Sequence, residues 1–272
     1  MTDPNAKQPR FTLRMVAEYF LLTFAFTWAI IIPTLSSVPE DSQLPFFILA
    51  AFGPFLAASI VIGVNLGRPE LLQWLRQIFA IRIPVILYLA GAFILPIGIG
   101  ALHYGLYWAL GGSLILYPAL PWFVYPIDLL GNLLTGGNEE PGWRGFALPA
   151  LLKRLHPVLA SLILGLIHAA WHLPLMNNYG TTFRWYLFEV IPLTFILNWL
   201  YLKSYQSVIP VMLLHAGTNM IYHFIPAPAQ VLLGFATFIP IRGVVYWGIA
   251  IVILVGTKDR LGFVEKRRLN IQ

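Results

Sequence analysis

Seven apolar stretches, near residues 15–33, 44–66, 84–110, 157–175, 184–202, 208–224 and 239–257, decide what this chain can fold into. Most are long enough to cross a hydrocarbon layer, which takes about 20 helical residues. With 58% hydrophobic and 10% charged residues over 272 positions, there is more apolar surface than one soluble core can cover. The expected fold class is therefore all-α, a polytopic transmembrane helix bundle of about eight spans in the cell membrane. The first stretch reads as a retained span, because it lacks a small-residue cleavage site and many spans follow it.

The net charge of +6 lies in the loops and the tail, so it points to membrane topology and not to nucleic acid. Lys7, Arg10 and Arg14 precede the first span, Arg68, Arg76 and Arg82 separate the second from the third, and Lys153, Arg154 and Lys203 flank later ones. Lys258, Arg260, Lys266, Arg267 and Arg268 make a basic tail, whereas Glu40 and Asp41 sit in an acidic loop. The positive-inside rule then puts both termini in the cytoplasm. Residues 68–76 have apolar positions at helical spacing with basic edges, the pattern of a helix lying on the inner surface or, equally, of a solvated connector. The chain has no cysteine, which excludes disulfides, thiolate metal sites and papain-like chemistry.

A short set of polar residues remains within or against apolar segments: Asp128, Glu139, Glu140, Arg144, His168, His172, Glu189, Asn198, His215 and Asn219. An unpartnered polar group in hydrocarbon costs several kcal/mol, so these should be paired or should face a wet cavity. In Gly136-Gly137-Asn138-Glu139-Glu140-Pro141-Gly142-Trp143-Arg144-Gly145, Asn138 is expected to cap a helix that starts at the acids, with Pro141 tolerated in its first turn. Arg144 lies one helical turn beyond Glu140, which predicts an ion pair there and leaves Glu139 available to water. His168 and His172 share a face, as do His215 and Asn219, and Asn198 offers an amide from the preceding helix. A hairpin folded at Lys153-Arg154-Leu155-His156-Pro157 leaves about sixteen residues, roughly 24 Å of helix, on each arm. That geometry returns His172 to the level of Glu139.

A carboxylate, one or two imidazoles and an amide donor suit hydrolysis of an unactivated carbonyl. Glu139 assisted by His172 would deprotonate water, and His215 and Asn219 would donate to the tetrahedral oxyanion. Glu140, Arg144, Asn198 and His168 would support them. No serine or threonine nucleophile is required.

These motifs resemble the CPBP family of intramembrane endopeptidases, also called Abi, which groups CAAX prenyl proteases of the second type with bacteriocin-processing and self-immunity proteins. The resemblance rests on Glu139-Glu140 with Trp143-Arg144-Gly145, on Trp171-His172-Leu173-Pro174, on Asn198-Trp199-Leu200-Tyr201, and on His215 with Asn219. It implies a glutamate-activated water and a membrane-tethered peptide or protein substrate, prenylated in some members. It also divides the chain into N-terminal transmembrane helices over 1–110, a catalytic membrane core over 111–257 and a cytoplasmic tail over 258–272. His168 departs from the family pattern, which usually has an aromatic residue four positions before the motif histidine. Pro141 departs as well.

Two alternatives stay open at this level. No cofactor is needed for glutamate catalysis, yet the His-x-x-x-His spacing of His168 and His172, with Glu139 and His215, could supply three ligands to zinc or another divalent metal, Glu139, His172 and His215 being the set preferred, although the His-Glu-x-x-His motif is absent. Buried acids and histidines also suit an ion-relay transporter, and a non-catalytic immunity scaffold would keep the same fold. Sidedness is not settled by the sequence. The basic loops put Glu139 and His172 toward the outer leaflet, while the resemblance to enzymes acting on cytosolic proteins implies a cytoplasmic opening. Both termini lie inside only if 114–136 or 139–155 stops short of a full crossing, and the proline-rich 114–136 is the expected partial segment.

Overall fold

The computed structural model describes residues 11–111, 120–178, 183–224 and 235–262. Among these the chain is helical, with no strand, as expected of a polytopic helical membrane protein. Helix α1 spans Leu13–Ser37, capped by the Thr12 hydroxyl, which accepts from the Met15 amide at 3.2 Å. Helices α2 (Leu44–Ala51) and α3 (Gly53–Leu66) make one bent apolar unit. Gly67, at φ +94°, turns it sharply into α4 (Arg68–Ile78), a reversal that a residue with a Cβ adopts only under strain. Helix α5 runs Val85–Ala109 and α6 spans Tyr125–Leu133. The composite helix α7 covers 137–152, and α8 (Pro157–Trp171) turns into the short α9 (Leu173–Asn178). Helices α10 (Phe183–Lys203), α11 (Ile209–Met220) and α12 (Phe235–Thr257) complete the described elements.

Three units, Leu13–Ser37, Leu44–Leu66 and Val85–Ala109, are long and apolar enough to cross a membrane, and Pro157–Trp171 and Ile241–Thr257 are shorter apolar helices. Residues 114–119 of the expected partial segment fall outside the described residues. The rest of that segment carries a 9-residue helix, α6.

Prolines explain much of how this bundle is held. A proline inside a helix removes the N–H that would bond the carbonyl four residues earlier, and in lipid that carbonyl needs another donor. Pro54 orphans Ala50, whose carbonyl accepts from the Thr27 hydroxyl of α1 at 2.9 Å. Pro96 orphans Ala92, which accepts from the Tyr125 hydroxyl of α6 at 2.5 Å. Pro149 orphans Gly145, which accepts from the Trp74 indole N–H of α4 at 2.9 Å. Each lost intrahelical bond thus becomes a bond between helices. Two of these prolines follow wide π-turns, Ala90–Ile94 and Trp143–Ala147, at the same offset.

The largest apolar core gathers α1, α3, α4, α5, α7, α8, α10, α11 and α12 around Tyr19, Trp143, Phe146 and Leu164. Helix α7 can lie against α3 because position 142 is glycine. A Cβ there would fall on the Pro54 carbonyl, so any larger residue would force the acid-bearing helix off its support. Away from the acids of α7, Glu189 of α10 is buried and receives two hydrogen bonds from Arg242 of α12, one at 2.9 Å. Asp128 accepts from His223 at 2.8 Å and from Asn132 at 3.2 Å.

Candidate active site

The adjacent acids of α7 have different surroundings. Glu140 is fully buried and both its oxygens accept from Arg144 Nη1, at 2.9 and 2.8 Å. Its Oε1 also accepts from His215 Nδ1 at 2.6 Å. Arg144 Nε donates to Asn198 Oδ1 at 3.0 Å, and Asn198 Nδ2 donates to Ser161 Oγ at 2.9 Å. Four helices, α7, α8, α10 and α11, are therefore tied together through one carboxylate and one guanidinium. A buried charge network of this kind is costly to break, because removing one partner strands the other.

Glu139 stands outside that network. Its Oε2 lies 3.1 Å from His168 Nε2, and its side chain lines a cavity of about 310 Å³ together with His172, Thr27, Trp28, Thr135 and Trp171. His172 Nδ1 is 3.0 Å from the His168 carbonyl. A carbonyl can only accept, so Nδ1 carries the proton and Nε2 is left for other work. Ligand atoms of Glu139, His168 and His172 all lie within 4.8 Å of one another. The hairpin of α7 and α8 thus brings the acid and the motif histidine to one level.

His215 and Asn219, one turn apart on α11, approach from another side. A Cβ on Gly136 would lie 3.3 Å from His215 Nε2 and 2.5 Å from Asn219 Nδ2, so both side chains meet the backbone at Gly136, three residues before Glu139. The His168 and His215 rings are 6.1 Å apart between centroids. Neither His215 nor Asn219 is among the residues lining the 310 Å³ cavity. Asn219 is exposed, whereas His215 is buried.

One sequence expectation is corrected here. Asn138 does not cap the helix: a 3-10 turn over Gly137–Glu139 precedes Glu140, and both amide atoms of Asn138 are buried without a partner. Of the four metal-ligand candidates, Glu139, His168 and His172 have converging ligand atoms, and His215 is not in that cluster. Ser161 and Trp74 were not singled out from the sequence. Ser161 had a readable signal, since 161, 165, 168 and 172 fall on one face of α8. Trp74 had none beyond its place in an amphipathic helix.

Residues 120–221 match the family described as Type II CAAX prenyl endopeptidase Rce1-like. The chain is also 26% identical over 224 residues to a CAAX prenyl protease 2 of Methanococcus maripaludis, covering 74% of this chain and 82% of that protein. The matched region contains Glu139, Glu140, Arg144, His172, Asn198, His215 and Asn219 in the order the motif resemblance requires. Both comparisons support a membrane protease, with the similarity to the Rce1-like endopeptidases lying over residues 120–221.

Proposed function

We propose that this protein is an intramembrane endopeptidase in which Glu139 activates the hydrolytic water. The observation that carries the reading is the division of the acids: Glu140 is consumed by Arg144 and His215, while Glu139 borders a cavity beside the available Nε2 of His172. Glu139 takes a proton from water, and the resulting hydroxide attacks the peptide carbonyl carbon. His215 Nε2 and Asn219 Nδ2 donate to the oxyanion that forms. His215 can donate there only as a doubly protonated ring, since Nδ1–H already serves Glu140. Collapse of the intermediate breaks the C–N bond, and the proton held by Glu139 goes to the departing amine.

The relative's name makes prenylated C-terminal peptides the first substrates to try. The substrate is a membrane-tethered extended segment, because a soluble globular protein could not thread its backbone among these helices. The basic loops support a multi-pass topology with both termini cytoplasmic. The test is cleavage of a panel of prenylated and unprenylated membrane-tethered peptides by purified protein in lipid nanodiscs. Wild type should cleave at least one class and Glu139→Gln none. A protein that cleaves nothing, but whose cellular phenotype survives Glu139→Ala, is a scaffold; ion flux in liposomes that depends on the acids would make it a transporter.

A further inference from the structure

We propose that Glu139, His168 and His172 form a binding site for a zinc-like divalent cation, and that its occupancy switches hydrolysis off. The inference rests on the peptidase reading only for the effect on activity. One carboxylate and two imidazoles from facing helices converge with all ligand atoms within 4.8 Å, a donor set that suits zinc. His168 lies in the last turn of α8 and His172 caps its C-terminus one turn later, and Glu139 Oε2 already sits 3.1 Å from His168 Nε2. The hydrogen bond from His172 Nδ1 to the His168 carbonyl is the outer contact that metal-binding imidazoles use to fix tautomer and orientation, and it presents Nε2 to a cation. The adjoining 310 Å³ cavity reaches Glu139 and His172, giving the cation an entry path and room for water as a fourth ligand.

Occupancy opposes catalysis because the site has one available carboxylate. In zinc peptidases of the His-Glu-x-x-His type, the general base is a glutamate additional to the ligands. Here the adjacent acid, Glu140, is tied to Arg144 and His215. Once Glu139 coordinates the cation, its lone pairs no longer reach the water as a base.

The experiment uses tag-free protein in nanodiscs with zinc as the probe, reading metal binding by equilibrium dialysis and cleavage of a membrane-tethered peptide separately. Wild type should take up about one zinc per chain. Zinc should lower cleavage by about 100-fold or more, the scale of a lost general base, and a chelator should restore it. His168→Phe and His168→Gln should weaken zinc binding at least about tenfold. They should also narrow the ratio of rates without and with zinc. His223→Ala, at the exposed pair with Asp128, should leave zinc binding at the wild-type level. Equal zinc binding by wild type and both His168 variants overturns the site, and zinc-stimulated or chelator-abolished cleavage overturns the inhibitory role. If wild type cleaves nothing while His168-dependent zinc binding persists, the peptidase reading fails and the cation site stands.

Discussion

Trp74→Phe tests whether side chains replace the hydrogen bonds that prolines remove. Trp74 is 2% exposed, and its indole N–H, 2.9 Å from the Gly145 carbonyl, stands in for the amide that Pro149 lacks. Phenylalanine keeps an aromatic ring against Phe55 but deletes the donor, leaving a buried carbonyl unsatisfied at a cost of about 1–3 kcal/mol. Lost apolar contact adds about 1 kcal/mol. Thermal unfolding in detergent should shift down by roughly 4–12 °C for a chain of this size. Pro149→Ala separates the two contributions. An alanine there supplies an N–H to Gly145, so Trp74→Phe should cost about 1–2 kcal/mol less in the Pro149→Ala background than in the wild type. Equal costs in both backgrounds would refute the substitution of an interhelical bond for an intrahelical one.

The acids should separate in the same assay: Glu139→Gln is expected to lose cleavage with near-wild-type melting, whereas Glu140→Gln and Arg144→Ala each break the buried network at about 3–5 kcal/mol. Equal melting of all three would remove the division of labour. Gly136→Ala puts a Cβ 2.5 Å from Asn219 Nδ2 and should lower kcat by about 100-fold, the scale of one lost oxyanion donor, with KM little changed. An unaltered kcat would mean that Asn219 and His215 do not face the reacting carbonyl. Since the chain has no cysteine of its own, single cysteines replacing Lys153 and Arg260 should both be labelled from the cytoplasmic side of sealed vesicles; labelling of either from outside contradicts the proposed topology.

How much of this was legible in the sequence depends on the range over which each relation acts. Local relations were readable: the one-turn spacings of Glu140 with Arg144 and of His168 with His172 follow from helical periodicity. The level of Glu139 against His172 was readable too, because a hairpin of equal arms fixes height along the axis. Rotation about the axis was not. Which face α8 turns toward α7 depends on packing such as Gly165 against the Ile191 backbone, where a Cβ would lie 3.3 Å from Ile191 Cα. For that reason the sequence left His168 among the supporting residues with no partner assigned, whereas the fold gives His168 to Glu139 and His215 to Glu140. Pro149 likewise announces from sequence that Gly145 will lack a donor, but nothing local says that the donor arrives from 71 residues upstream. The unpaired groups of a membrane helix can therefore be listed from its own prolines and polar residues, since their existence is a local fact. Their partners come from neighbouring helices, and one rotation of α7 against α4, α8 and α11 assigns Trp74 to Gly145, His168 to Glu139 and His215 to Glu140 together.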